Sequence, residues 1–211
     1  MIIIILIIII LIIIINYELI MNYEHIIYVL YGFKHDIPTP FYITNKIKQI
    51  CGDIIGVYKY DFIDIGCGSG TLLNTLFKYK LFRKYIGIEI DKKIYKKAIN
   101  NRISNEIEIY NLDILDYKFK ATNPAVIFMY EPFHDIEYNK AIDLYEKVLK
   151  KIKSAYKYVY ILYLTGTQYK RQDLHNNNYF NKHGFSIINK YYTGSLLVRR
   201  VIYLVEYKNN I

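Results

Sequence analysis

Apolar residues recur along this chain in two rhythms. Phe62, Ile63 and Ile65 form a short, nearly continuous apolar run that suits a strand covered on both faces, and it stops at Gly66, Gly68 and Gly70. From Thr71 to Phe77 the apolar side chains fall at i, i+1, i+4 and i+5, which is one face of a helix. The alternation continues downstream. Tyr85 to Asp91, Ile107 to Tyr110, Ala125 to Tyr130 and Tyr156 to Leu164 read as four further strands, each short and apolar. Between the last two, Ala141, Leu144, Tyr145, Val148, Leu149 and Ile152 share one helical face, with lysines opposite. Phe185 to Tyr191 and Val198 to Tyr207, joined around Thr193, Gly194 and Ser195, read as a hairpin. Upstream, Thr39 and Pro40 predict an N-cap followed by a first helical residue, with Ile43, Ile47, Ile50 and Cys51 on the buried face.

The opening of the chain obeys neither rhythm. Met1 to Ile15 holds only Met, Ile and Leu, and as a helix it would reach roughly 22 Å, short of the roughly 30 Å hydrocarbon core of a bilayer. No Lys or Arg precedes Lys34 and no small-residue cleavage pattern follows, which argues against a secretory signal. Two readings stay open: a marginal membrane anchor, or a low-complexity extension with translation beginning at Met21. The expected organisation is therefore a hydrophobic segment over 1–21, a lead-in and helix over 22–60, and one α/β domain over 61–208. Tyr23 to Phe33 is aromatic and apolar enough to cover a sheet edge.

Composition narrows the chemistry only a little. Of the 211 residues 25 are tyrosine, beside an abundance of Ile, Asn and Lys that a coding bias alone can produce, so tyrosine is expected mainly as filler. Two cysteines, Cys51 and Cys67, make neither a disulfide framework nor a zinc pair, so a cytoplasmic, reducing location is expected, with membrane association through the N-terminal run as an addition. The histidines His25, His35, His175 and His183 show no metal-ligand spacing. A net charge of +9 permits a nucleic acid or an anionic membrane as partner. The lysines form two clusters, however: Lys92, Lys93, Lys96 and Lys97 after the second strand, and Lys147, Lys150, Lys151 and Lys153 after the fourth. Right-handed crossovers and a reversal of strand order put those helices on opposite faces of the sheet, giving two solvated faces in place of one phosphate track.

The chemistry is concentrated at the strand ends. Strand, glycine loop and helix open a nucleotide-binding unit, and Asp64 precedes a GxGxG loop in which Thr71 stands where a GxGxxG or GxGxxA dinucleotide loop has its third small residue. This DFIDIGCGSG stretch resembles motif I of the class I methyltransferases that use S-adenosylmethionine. The resemblance extends over Pro38 to Lys208 and implies a three-layer, Rossmann-like α/β sheet, mostly parallel with a closing antiparallel hairpin strand. It also implies roles for particular residues. Asp64, Gly66, Cys67, Gly68 and Gly70 would hold the methionine end of S-adenosylmethionine, and Glu89, nineteen positions beyond Gly70, the ribose. Asp113 and the backbone at Ile114 would hold the adenine, while Asp91 is expected to cap the next helix.

The fourth strand runs into Tyr130, Glu131, Pro132 and Phe133, where amino-group methyltransferases resembling this chain have Asn or Asp, then Pro, then an aromatic. Tyr130, Glu131 and Phe133 are the expected catalytic residues, with Glu131 orienting the acceptor; His134 is adjacent, although a loop histidine there is more often incidental. The departure from NPPY or DPPY weighs against base-directed enzymes. The short PTP segment at Pro38 to Pro40 resembles the lead-in of small protein-lysine methyltransferases, so a protein amino group is the preferred acceptor. Methyltransferases acting on RNA or small molecules are the alternative, as is a catalytically silent cofactor-binding subunit. A nicotinamide-dependent oxidoreductase is disfavoured by Thr71 and the closing hairpin.

Overall fold

The computed structural model describes residues 39–54, 57–120, 122–133, 136–166, 177–194 and 199–209. The N-terminal run, the aromatic lead-in, Pro38, His134 and the turn at Ser195 lie outside the described residues. Among those described, no helix is long and apolar enough to cross a membrane.

In chain order the elements are α1 (Phe41–Ile54), a 3-10 turn (Val57–Lys59), β1 (Asp61–Ile65), α2 (Thr71–Lys78), β2 (Lys84–Glu89) and α3 (Lys92–Asn101). There follow β3 (Ile107–Asn111), β4 (Ala125–Tyr130), α4 (Tyr138–Ala155), β5 (Tyr158–Gly166), α5 (Asn177–Lys182), β6 (Ser186–Gly194) and β7 (Arg199–Lys208). The strands form one seven-stranded sheet in the order β3-β2-β1-β4-β5-β7-β6. β1 to β5 pair in parallel, and β7 runs antiparallel to both β5 and β6. This is the fold the strand pattern predicts, with the parallel core and the closing hairpin both present.

Side-chain alternation divides the core into two layers. Ile63, Ile65, Ile86, Ile127 and Ile161 point to the side covered by Ala141, Tyr145, Val148, Leu149 and Ile152 of α4 and by Phe180 of α5. Phe62, Tyr85, Val126, Phe128 and Leu162 point to the other side, against α1, α2 and Ala98 of α3. Sheet residues with apolar side chains on both faces explain why the strands read as runs and not as alternations. The helices carrying the two lysine clusters, α3 and α4, therefore lie on opposite faces, as their crossover geometry requires.

Two local expectations shift. The carbonyl of Pro40 accepts from the N–H groups of Ile43 and Thr44, so the helix is flanked by Pro40 and its first residue is Phe41, one position later than the Thr39 cap predicts. Helix α5, six residues of mostly polar sequence, carried no apolar period by which to be found. The Asp91 cap is as expected: its Oδ1 accepts from the N–H groups of Lys93 and Ile94 at 2.7 and 2.9 Å.

Gly87 in β2 sits where the sheet has no room for a side chain. A Cβ there would meet Leu73 Cδ1 at 2.7 Å and Cys67 Sγ at 2.8 Å. Gly87→Ala should therefore lower the unfolding free energy by about 1–3 kcal/mol through overpacking. Urea denaturation of the two proteins measures this, and equal midpoints would show that α2 yields without cost.

Candidate active site

Strand register brings the candidate residues to one level. Ile65, the last residue of β1, lies across from Ile88 of β2 and Met129 of β4, and Glu89 lies across from Asn111 of β3. Gly66, Glu89, Asn111 and Tyr130 thus leave the sheet side by side at its carboxyl edge. The strand order reverses there, between β1 and β4, and such a switch point is where open α/β sheets bind ligands.

The glycine loop turns in a way only glycine adopts easily. Gly66, Gly68 and Gly70 have φ of 76°, 55° and 77°, in the left-handed region. The N–H groups of Gly66 and Cys67 both donate to Ile88 O, at 2.9 and 3.1 Å, which ties the loop to β2. A Cβ on Gly68 would meet nothing within 4 Å, so the loop faces open space at that point, whereas one on Gly66 would meet Pro132 Cβ at 3.5 Å. The glycine loop consequently abuts the turn that carries Glu131. The Cys67 thiol is turned away from this opening. It is buried against Gly87 on the α2 side, and burial pushes its pKa well up, so Cys67 enters the loop through its backbone.

Two carboxylates stand beneath the loop. Glu89 Oε2 accepts from Gly68 N–H at 3.0 Å and Oε1 from Asp91 N–H at 2.9 Å, so one buried side chain braces both the glycine loop and the start of α3. Its pKa is nevertheless raised, because desolvation outweighs those two donors. Asp64, buried on the same side, has its pKa pushed up to about 8, first by burial and then by the Glu89 charge. Asn111, which no sequence signal singled out, donates from Nδ2 to Glu89 O and Ile90 O and fastens the end of β3 to the end of β2.

Asp113 stands in the turn after β3, half-buried, with Oδ1 accepting from Leu115 N–H at 2.8 Å and its carbonyl from Asp116 and Tyr117. The Ile114 side chain is in the core on the α4 face, which leaves only its backbone to face a ligand. On the other side of the switch point, Glu131 has a positive φ of 40°, uncommon for a residue with a side chain, and Oε1 accepts from Thr165 Oγ1 at 2.6 Å. Phe133 packs into the core edge-on to Tyr145, with ring centroids 4.8 Å apart. Tyr130 is only half-buried, and the Arg200 guanidinium carbon lies 5.1 Å from its ring centroid. Thr165 and Arg200 were not legible beforehand, since only strand pairing brings β5 and β7 to this turn.

A sequence profile of the ribosomal RNA adenine dimethylases matches residues 44–201. The chain belongs to that family. The expected class I, S-adenosylmethionine-dependent methyltransferase fold is thereby established. An rRNA adenine N-6-methyltransferase from Corynebacterium diphtheriae is 30% identical over 101 residues, 48% of this chain and 39% of that protein. Ribosomal RNA small subunit methyltransferase A from Mycoplasma genitalium is 32% identical over 77 residues, 36% of this chain and 29% of that protein. The chain thus matches well under half the length of these curated relatives. Among solved structures, a Pyrococcus horikoshii protein provisionally described as an RNA methyltransferase superposes with a TM-score of 0.62 at 15% identity, over 81% of this chain and 86% of that one. That likeness is one of fold. The family description names ribosomal RNA adenine, so the comparisons favour RNA over the protein amino group that the PTP segment suggested.

The buried acid has a measurable consequence. Asp64 holds its proton to about pH 8 when folded, against an ordinary value of 3.8. Between those values the folded chain binds more protons than the unfolded one, so stability falls as pH rises through the window and levels off above it. Glu89 acts in the same direction. Asp64→Asn should flatten this decline, and its urea midpoint should gain on that of the parent chain steadily from about pH 4 to pH 8. Parallel curves for the two proteins would show that Asp64 is ionised throughout.

Proposed function

We propose that this chain transfers the methyl group of S-adenosylmethionine to the exocyclic amine of an adenine in RNA, with ribosomal RNA as the first substrate to test. The observation that carries the reading is the nearness of the glycine loop to the Glu131 turn, with room for no more than a Cβ between Gly66 and Pro132, in a chain of this family. The loop's outer side is open at Gly68, while its inner side is fixed to Ile88 and Glu89. The donor set suits the cofactor. Asp64 and the loop backbone take the methionine end, the remaining lone pairs of Glu89 the ribose hydroxyls, and Asp113 with the Ile114 backbone the adenine.

When bound, S-adenosylmethionine supplies a methyl group on a sulfonium whose sulfur leaves as a neutral thioether. The protein's share is placement, which can lower such a barrier by roughly 7–11 kcal/mol at best. Gly66 against Pro132 sets the separation between the cofactor side and the acceptor side. Glu131, held by Thr165, orients the amine and accepts its proton as the new N–C bond forms. Tyr130 offers the half-buried ring on the acceptor side, whereas Phe133 supports the turn from behind. Glu131 replaces the amide or short acid of related loops with a longer carboxylate, and its left-handed backbone, strained by about 1–3 kcal/mol, redirects that longer side chain toward Thr165.

Calorimetric titration of the full chain should show saturable binding of S-adenosylmethionine and S-adenosylhomocysteine, roughly tenfold weaker for Asp113→Ala, and none of NAD. With methyl-labelled cofactor, label should enter ribosomal RNA and not ribosomal protein. Glu131→Ala should cut that transfer by roughly a hundredfold or more while cofactor affinity holds. Label in protein would reinstate the lysine reading, and undiminished transfer by Glu131→Ala would remove that residue from the mechanism.

A further inference from the structure

Buried polar and charged side chains are few among the described residues: Thr44, Asp61, Asp64, Glu89, Thr165 and Arg200. Asp61 is paired with Arg83 at 2.8 Å at the opposite end of β1. Asp64, Glu89, Thr165 and Arg200 all lie at the carboxyl edge of the parallel strands. Three of these have a place in the reading above, and Arg200 does not.

Arg200 is the second residue of β7, and the residues after it, Val201, Ile202, Tyr203, Leu204 and Val205, are all buried and apolar. An arginine that is only 5% exposed is expensive to keep there unless something specific holds its guanidinium. Register puts Arg200 across from Gly166 at the end of β5, next to Thr165, whose hydroxyl donates to Glu131. Its side chain points to the face of the sheet that carries Tyr130, with Cζ 5.1 Å from the ring centroid. The flat guanidinium is the cation best suited to lie on an aromatic face, and in a desolvated setting that contact is strong enough to fix the ring.

We propose that Arg200 is a positioning residue for the acceptor half of the site: it holds the Tyr130 ring, and with it the start of the Glu131 turn, in the orientation that receives the acceptor. This rests on the reading of Tyr130 and Glu131 as acceptor-facing. Arg200 itself need not touch the acceptor. Its effect passes through Tyr130, which separates this role from that of a cation placed to meet a phosphate.

The test compares Arg200→Met, Arg200→Lys, Tyr130→Leu and the double variant Arg200→Met with Tyr130→Leu. All are assayed with labelled S-adenosylmethionine against ribosomal RNA and, separately, against ribosomal protein, beside calorimetric affinity for S-adenosylhomocysteine and thermal melting. Arg200→Met should lower kcat/KM for the acceptor by roughly tenfold or more and leave S-adenosylhomocysteine affinity within about twofold. Arg200→Lys, charged but not planar, should recover only part of the loss. In the Tyr130→Leu background, Arg200→Met should cost nothing further, because the ring through which it acts is gone. Independent, additive losses would overturn the proposal, as would a variant that melts earlier yet turns over normally. Loss of cofactor affinity in Arg200→Met would also overturn it, by placing the residue on the other half of the site. If the parent chain labels protein and not RNA, the RNA reading fails and the same comparison decides the role of Arg200 on that acceptor. A parent chain that labels neither removes both readings.

Discussion

One carboxylate holds the carboxyl edge of this sheet together. Glu89 lies at the end of β2 with both oxygens engaged by backbone N–H groups, one from the glycine loop and one from the residue that caps α3. Its desolvation costs free energy, and the two charge-assisted bonds offset that only in part, as its raised pKa shows. The bonds set the position of Gly68, the direction in which α3 leaves the sheet, and the charge felt by Asp64. A glycine loop with three left-handed residues has many other ways to turn; anchored at Gly68 and at Ile88 O it has far fewer.

The remainder of the molecule makes that arrangement affordable. Both faces of the sheet are covered by tightly buried aliphatic and aromatic side chains, so apolar burial supplies the stability that the buried acids withdraw. Four of the six buried polar side chains among the described residues, Asp64, Glu89, Thr165 and Arg200, lie at one end of the strands. At the opposite end the buried Asp61 is paired with Arg83, and the Tyr158 hydroxyl donates to Glu206 at 2.7 Å. On one side of the switch point the glycine loop is tied to β2 alone, whereas on the other the Glu131 turn, Thr165 and Arg200 come from three different strands.

The strands were legible because each is a compact apolar run whose glycine or acid ends are local features, and Asp64, the loop glycines and Glu89 stand where their spacing placed them. What escaped the sequence depends on pairing between distant segments. Thr165 and Arg200 mean nothing until β7 lies against β5, and Asn111 reads as an ordinary turn residue until β3 is set beside β2. Cys67 and Phe133 each lie in a motif, and packing turns both side chains into the core, which their spacing alone does not reveal. The preference for a protein amino group rested on a three-residue segment, whereas the family likeness that favours RNA is distributed over most of the chain.

The order of strands at the far edge also bears on how the sheet is assembled. β6 pairs with β7 alone among the described strands, and β7 alone pairs with the outer edge of β5. On an elongating chain β6 therefore emerges with no edge it can join, and the apolar edge of β5 stays uncovered until β7 has followed. The hairpin itself closes between neighbouring segments, but its docking on β5 joins segments more than thirty residues apart and is slow compared with the local strand-loop-helix units that precede it. The interval between β5 and β7 is thus when a nascent chain of this topology is most exposed to wrong partners, and when help from a chaperone counts most.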